Sequence, residues 1–186
     1  MSDLPPAPPR SFVPVVDPTQ REVVRRATVR LLVVDPAGRA LMFRDSDPNT
    51  GRSWWITPGG GIDPGETEVQ AALRELEEET GHVADAVDLH GPIGRRHVVH
   101  GYSDRIVDQD DVFYLVRAPA FEVSTAGHTP EEQVTMLDHR WWSSADLAAT
   151  AELVWPANLV DLIDLAGRPA DWPVTLPDVE ESSVPV

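Results

Sequence analysis

The sequence contains no cysteine and has few basic residues. The lack of cysteine excludes disulfides, cysteine-based zinc sites and thiol nucleophiles. Lys and Arg number 15 against 31 Asp and Glu, which gives a formal net charge of −16. An overall field of this sign argues against a protein held to nucleic acid or to anionic lipid, and we expect no stable DNA binding. A small anionic substrate stays open, because a local metal ion can reverse the sign of one pocket.

Long hydrophobic runs are also missing from the sequence. No apolar run approaches the roughly 18 residues that a membrane-spanning helix requires. The N-terminus, from Met1 to Pro6, lacks the basic start and the apolar stretch of a signal peptide. The sequence therefore predicts no membrane association and a cytoplasmic location.

Proline is concentrated at the two ends of the 186-residue chain, which divides it into a domain and two arms. Residues 1–20 are predicted to form a Pro-rich N-terminal arm, and residues 168–186 a Pro-rich, acidic C-terminal tail. The tail is either extended and mobile or packed through Trp172 and Leu176. Residues 21–167 are predicted to form one α/β domain with a mixed central sheet, because short β-branched stretches alternate with helical patterns.

The coarse pattern predicts six strands and three helices between the arms. Gly81 is expected to end the first helix, Ser143 or Ser144 to cap the second, and Pro156 and Gly167 to bound the third. The predicted strands are Thr28–Val34, Ala40–Phe43, Ser53–Ile56, a strand around His97–Val99, Val112–Val116 and Met136–Trp142.

The most informative segment is a glycine-rich turn, Thr57–Glu66, followed by an acidic helix. At about 100° per residue, Glu75, Glu78 and Glu79 group together beside the edge of the apolar arc. Like charges at this spacing repel by a few tenths of a kcal/mol each, so the stripe needs a cation. The arc expected to be buried consists of Val69, Ala72, Leu73, Leu76 and Thr80.

The chemistry of these side chains selects the kind of cation. Carboxylate oxygens without His or Cys suit a hard ion such as Mg²⁺ or Mn²⁺. Three consecutive glycines allow a close approach of the backbone, so a carbonyl of this loop could join the ligands. Water bound to a metal ion near a phosphoryl group is a route to hydrolysis of a P–O bond.

The segment from Gly60 to His82 resembles the Nudix box. The segment matches the fixed residues of the box in order: Gly60, five residues, Glu66, seven residues and then the run Arg74–Gly81. The last fixed position is the exception, because His82 replaces an aliphatic residue there. This departure concerns packing at the helix end and not the metal chemistry. The resemblance implies an α/β/α sandwich with the box as a loop–helix–loop. It also implies a hydrolase that uses a divalent metal to cleave a pyrophosphate bond in a nucleoside diphosphate-linked substrate.

The resemblance assigns metal ligands residue by residue. It implies that Glu75, Glu78 and Glu79 hold Mg²⁺ or Mn²⁺, together with the carbonyl of Gly60. Many members of the family recruit one more acid from a loop before a late strand. Here Glu131 and Glu132 occupy such a loop; we favour Glu132, and an exposed acidic turn is the alternative.

Catalytic roles are also implied by the resemblance. Arg74 is expected to orient Glu75 through a charge-assisted hydrogen bond. A box glutamate is expected to take the proton from the attacking water. Glu75 is our first choice for this base and Glu78 is another candidate. Glu66 is expected to support the loop.

Basic residues outside the box are candidates for binding the substrate. A local basic patch in an acidic chain suggests contact with a polyphosphate, and pairing with nearby aspartates is the alternative. The motifs that distinguish subfamilies of the family do not identify one substrate here. Nucleoside triphosphates, dinucleoside polyphosphates, nucleotide sugars and capped or triphosphate RNA therefore stay open. A catalytically weak, nucleotide-binding regulatory module is a second hypothesis, and a homodimer is open. The candidate arginines are Arg44, Arg95, Arg96 and Arg105.

Overall fold

The computed structural model describes residues 17–186, so most of the predicted N-terminal arm lies outside the described residues. Within this range nine strands pair around one mixed sheet in the order β7-β3-β2-β1-β5-β4-β8, with β6 paired to β2 and β9 to β4. Their bounds are β1 Glu22–Val34, β2 Ala40–Asp47, β3 Arg52–Ile56, β4 Leu89–Gly101, β5 Arg105–Arg117, β6 Asp138–Trp142, β7 Val154–Trp155, β8 Val174–Thr175 and β9 Val179–Glu180.

Four α-helices accompany these strands in the described part of the chain: α1 Glu68–Thr80, α2 Glu132–Thr135, α3 Ser144–Ala149 and α4 Leu159–Ala166. The local end signals of α1 are confirmed. Thr67 and Gln70 form a capping box at its start, and Gly81 ends it in the left-handed conformation at φ 71°. Ser143 caps α3, which decides between the two predicted serines.

Helices cover both faces of the sheet, which confirms the predicted α/β/α sandwich. On one face α1 packs through Leu76 against Leu31 and neighbouring strand residues. On the other face α3 and α4 pack against Leu32 and Phe113. Leu31 and Leu32 lie on opposite sides because successive side chains of a strand alternate between its faces. No helix within residues 17–186 is long and apolar enough to cross a membrane.

Two central strands are much longer than predicted. β1 and β5 pair in parallel register from Glu22 opposite Arg105 to Val34 opposite Arg117. The polar first half of β1 carries no apolar run, so local pattern alone places the start of the strand too late, at Thr28. Pairing with β5 satisfies the backbone of this half and keeps it extended.

The C-terminal tail lies along the edge strand of the sheet. β8 and β9 both pair with β4 in parallel. Trp172 and Leu176 pack against the main core, which is the second of the two expectations for this segment. The tail therefore covers the open edge of β4 within the described chain.

A buried histidine gives this region a pH-dependent stability. His100 lies against the rings of Tyr102 and Trp155, and its Nδ1–H donates to the carbonyl of Glu181 at 2.6 Å. Burial lowers its pKa to about 3, with a further contribution from the charge of Arg30. The neutral ring is thus stabilising above pH 6.5, and this contribution is lost as the pH falls from 6.5 toward 3.

We expect this single group to reduce the free energy of unfolding by about 2 kcal/mol between pH 7.5 and pH 5.0. Urea unfolding of the wild-type protein and of His100→Asn at both pH values measures the effect. The exposed His90, replaced by glutamine, serves as the control. An equal acid-induced loss of stability in His100→Asn and in the wild type would contradict the prediction.

Candidate active site

A cavity of about 280 Å³ opens beside the glycine-rich turn and α1, and its wall carries both acidic and basic side chains. The acidic residues of the wall are Asp45, Glu75, Glu79, Glu131 and Glu132. The basic residues of the wall are Arg26, Arg30 and Arg105, and its apolar residues include Ile56, Tyr102, Val107 and Met136. Such a wall suits a ligand that carries several negative charges near a bound cation.

The three box glutamates point in different directions. Glu75 and Glu79 lie one helical turn apart and are both buried, although the sequence places them at the edge of the apolar arc. Burial raises the pKa of each carboxyl group, and the nearby charge of Glu75 raises that of Glu79 further. Glu78 is instead 48% exposed and faces Arg74. The turn packed over α1 therefore encloses two of the three carboxylates.

Arg74 ties the acidic helix to the glycine-rich turn. Its Nη1 donates to Glu75 at 2.7 Å and to Glu78 at 3.1 Å. Its Nε and Nη2 donate to Glu66 at 2.9 and 2.8 Å, and Nη2 also reaches the carbonyl of Gly61. The guanidinium lowers the pKa of Glu66. Arg74 thus contacts Glu66, Glu75, Glu78 and the turn, and the orienting and supporting roles stay predictions.

Two glycines let the turn approach the carboxylates closely. The N–H of Gly59 donates to Glu79 at 2.8 Å. A Cβ on Gly60 would lie 2.6 Å from both carboxylate oxygens of Glu75, so only glycine leaves this carboxylate its position. The carbonyl of Gly60 accepts the N–H of Val29 at 3.0 Å, which uses one of its two lone pairs.

The acidic loop after β5 is attached directly to α1. The Nε2–H of His128 donates to the carbonyl of Glu79 at 2.9 Å. This contact brings the following residues over the cavity, where both Glu131 and Glu132 line the wall. The carboxylate of Glu132 accepts the N–H and the hydroxyl of Thr129 at 2.7 and 2.9 Å. The choice between the two glutamates therefore stays a prediction.

The donor chemistry of the cavity fits a hard divalent cation. Its wall offers carboxylate oxygens, and the two buried carboxylates of Glu75 and Glu79 repel each other unless a cation or a proton compensates them. In residues 17–186 no group of three or more acids or histidines is arranged to hold a metal ion. Glu78 shares Nη1 of Arg74 with Glu75 and does not line the cavity.

The predicted substrate-binding arginines do not converge. Arg105 lines the cavity. Arg44 instead contacts Ser53, and Arg95 pairs with Glu68. Arg96 is 4% exposed and fully occupied by ion pairs. The patch separates because Arg95 and Arg96 are successive residues of β4 and point to opposite faces.

Sequence reasoning missed two arginines of the cavity, Arg26 and Arg30. Both lie on β1, four residues apart, so strand alternation sends them to the same face. The signal was present, but the predicted strand began at Thr28 and left Arg26 outside it. Arg30 donates to the carbonyl of Gly59 at 3.2 Å, which places it next to the glycine-rich turn.

The unusual last position of the box has a local explanation. The ring of His82 stacks on Phe121, with centroids 4.3 Å apart and an angle of 7° between the planes. Phe121 also meets Trp141 edge to face. An aromatic stack thus takes the place of aliphatic packing at the end of α1.

Comparison with known proteins agrees with this geometry. A sequence model of the NUDIX domain matches residues 24–163. An RNA pyrophosphohydrolase of Erythrobacter litoralis (strain HTCC2594) is 66% identical over 35 residues, which are 19% of this chain and 21% of that protein. An RNA pyrophosphohydrolase of Legionella pneumophila (strain Corby) is 31% identical over 100 residues, which are 50% of this chain and 55% of that protein. The matches thus span from a fifth to about half of these relatives.

A solved structure supports the fold over a longer range. The MutT protein from Methanosarcina mazei Go1 superimposes with a TM-score of 0.55 at 20% sequence identity. The superposition covers 81% of this chain and 97% of that chain. A likeness at this identity shows a shared fold.

Proposed function

The chain belongs to the NUDIX domain family, and from this premise we propose that it hydrolyses a pyrophosphate bond in a nucleotide-type substrate. The observation that carries the proposal is a cavity in which carboxylates and arginines lie together. Buried Glu75 and Glu79 line it, and so do Arg26, Arg30 and Arg105. A phosphate chain bound by these arginines would have its scissile bond near the acids.

The acids of the cavity give the site its metal dependence. Mg²⁺ or Mn²⁺ would be held by Glu78, Glu79 and Glu132 with a carbonyl of the glycine-rich turn, and by Glu75 where Glu75 does not act as the base instead. Such an ion, when bound, lowers the pKa of a coordinated water and neutralises charge on the phosphates. Binding a cation also removes the repulsion between the two buried carboxylates.

The protein's own groups bind the substrate and move the proton. The guanidinium groups of Arg26, Arg30 and Arg105 donate to phosphate oxygens, for which their planar forks are suited. Glu75, oriented by Arg74, accepts the proton of the attacking water. The water oxygen forms a bond to phosphorus, the bridging P–O bond breaks, and two phosphorylated products leave.

The apolar wall offers a surface for the rest of the substrate. Ile56, Tyr102 and Met136 line the cavity near the arginines, and a nucleobase can stack on or pack against such side chains. The curated relatives are named RNA pyrophosphohydrolases. This makes RNA with a 5′-triphosphate end the first substrate to test, beside free nucleotides.

One observation favours the second candidate, a nucleotide-binding module with weak activity. The side chain of Glu78 is 48% exposed and does not line the cavity with Glu75 and Glu79. A protein that keeps Glu78 outside the cavity in the presence of metal would bind nucleotides without cleaving them efficiently.

A substrate panel separates the two functions. The protein is incubated with triphosphate RNA, nucleoside triphosphates, dinucleoside polyphosphates and nucleotide sugars, in Mg²⁺, in Mn²⁺ or in EDTA. We expect cleavage of at least one class with either metal and none in EDTA, with product masses that locate the broken bond. Binding without turnover across the whole panel would support the regulatory module instead.

A further inference from the structure

A buried network of charges links the C-terminal tail to the arginines of the cavity. Glu181, directly after β9, is a buried carboxylate in a segment rich in exposed residues. It accepts two parallel hydrogen bonds from Arg96, at 3.0 and 2.9 Å. Its backbone N–H donates to Val99, and Oε1 also accepts the N–H of Ala157 at 2.8 Å. The position of this carboxylate is thus fixed from several sides.

Asp111, on β5, is the centre of the network. Its carboxylate is fully buried and accepts Arg96 Nε at 2.9 Å, while Arg30 Nε lies 3.6 Å away. Arg30 and Arg96 lower the pKa of Asp111 although its burial acts in the opposite direction. Thr28 donates its hydroxyl to the same carboxylate.

Gln109 extends the network to the second arginine of the cavity. Its Nε2 donates to Asp111 at 2.6 Å, and its Oε1 accepts Arg26 Nε at 2.6 Å. A carboxylate can only accept, so Asp111 fixes the orientation of the Gln109 amide and turns its oxygen toward Arg26. A change of charge at Asp111 would therefore reach both Arg26 and Arg30.

The positive and negative charges of the network are not equal in number. Three guanidinium groups, of Arg26, Arg30 and Arg96, share the two carboxylates of Asp111 and Glu181. The network thus holds one guanidinium more than it holds carboxylates, and Arg26 and Arg30 reach the cavity wall, where Arg30 also interacts with the charge of Glu79. Guanidinium groups held in this way can donate to an anionic ligand.

We propose that Glu181 is a positioning residue, which acts through Arg96, Asp111 and Gln109 to hold Arg26 and Arg30 for binding a phosphate chain. This inference rests on the proposed function. Without the charge of Glu181, Arg96 keeps only Asp111 as a carboxylate partner. It then draws that carboxylate away from Gln109 and Arg30, which loosens both arginines of the cavity. The C-terminal tail is thereby part of the substrate site without touching the substrate.

The test compares Glu181→Gln with the matched control Glu180→Gln, which changes the exposed neighbour on the same segment. We expect Glu181→Gln to raise KM for the cleaved nucleotide roughly tenfold with little change in kcat, because it weakens charge-assisted contacts to bound phosphate. Glu180→Gln should behave like the wild type. An unchanged KM in a cooperatively melting Glu181→Gln protein would overturn the inference.

Binding of inorganic tripolyphosphate in EDTA, measured by calorimetry on the full chain, tests the same link without catalysis. Glu181→Gln should bind roughly tenfold more weakly than the wild type, but only about threefold more weakly in an Arg26→Gln background, where Arg30 alone is left for the network to hold. Additive effects, or no binding by the wild type, would overturn the inference. Binding that depends on Arg26 without cleavage of any panel substrate would leave the inference standing and refute the proposed function.

If Glu181→Gln does not fold, a second variant tests the same inference. Gln109→Met keeps the pair of Glu181 with Arg96 and removes the amide that connects Asp111 to Arg26. It should weaken tripolyphosphate binding by a similar factor. Wild-type affinity in this variant would overturn the inference.

Discussion

Replacing Glu79 by glutamine is expected to lower pyrophosphate hydrolysis by roughly 10²–10⁴-fold while the fold is kept. The carboxylate lies 3% exposed at the base of the cavity, with one oxygen accepting the N–H of Gly59. A glutamine oxygen can accept the same hydrogen bond, but the neutral amide cannot supply the negative charge that a divalent cation requires. Initial rates at saturating Mg²⁺ and thermal melts of the same samples measure the two effects.

The control for this prediction lies on the same helix. Glu77 is exposed on the far side of α1, so Glu77→Gln should retain wild-type turnover. Burial raises the pKa of Glu79, which means that its ionised form is costly in the metal-free protein. Glu79→Gln should therefore be at least as stable as the wild type without metal. Full activity of Glu79→Gln would refute the role of this carboxylate.

Replacing Gly59 by alanine is expected to destabilise the protein by about 3 kcal/mol. Gly59 has a φ of +126°, and an added Cβ would lie 2.2 Å from the carbonyl oxygen of Val29. That atom belongs to the backbone of β1 and cannot turn away, so the turn must leave the strand. Urea unfolding at neutral pH measures the change.

A neighbouring glycine serves as the control. At Gly61 an added Cβ meets no atom within 4 Å, and its φ lies outside the left-handed region. Gly61→Ala should therefore change the free energy of unfolding by less than about 0.5 kcal/mol. Equal stability of the two alanine variants would show that the turn is not held against β1 as described.

The two central strands show how much of a strand the local sequence pattern can predict. The second half of β1, from Thr28 to Val34, was predicted because it is short and rich in β-branched and apolar residues. Its polar half, from Glu22 to Ala27, was not, although it pairs with β5 over its whole length. Strand pairing joins residues about 80 positions apart, and no window of neighbouring residues contains both partners. Arg26 lies in this half of β1, so the sequence analysis did not identify it as a basic residue of the cavity.

The basic residues that were predicted to form one patch separate in the structure for the same reason. Arg95 and Arg96 are adjacent in sequence, which suggested one charged surface. A strand sends them to opposite faces, and each meets a carboxylate from a distant element, Glu68 or Glu181. The choice of partner depends on which segments pack against each face, and that is decided only in the folded chain.

The sequence by itself determined the loop, the capped helix and the spacing of the acids in the box, because turns, caps and helical periodicity depend on residues a few positions apart. It also determined the family, since that spacing is its signature. The tertiary structure decided which glutamates are buried and which arginines face them. It also decided that the tail meets Arg96 through Glu181. These are contacts between distant segments, set by the pairing of strands and the packing of faces.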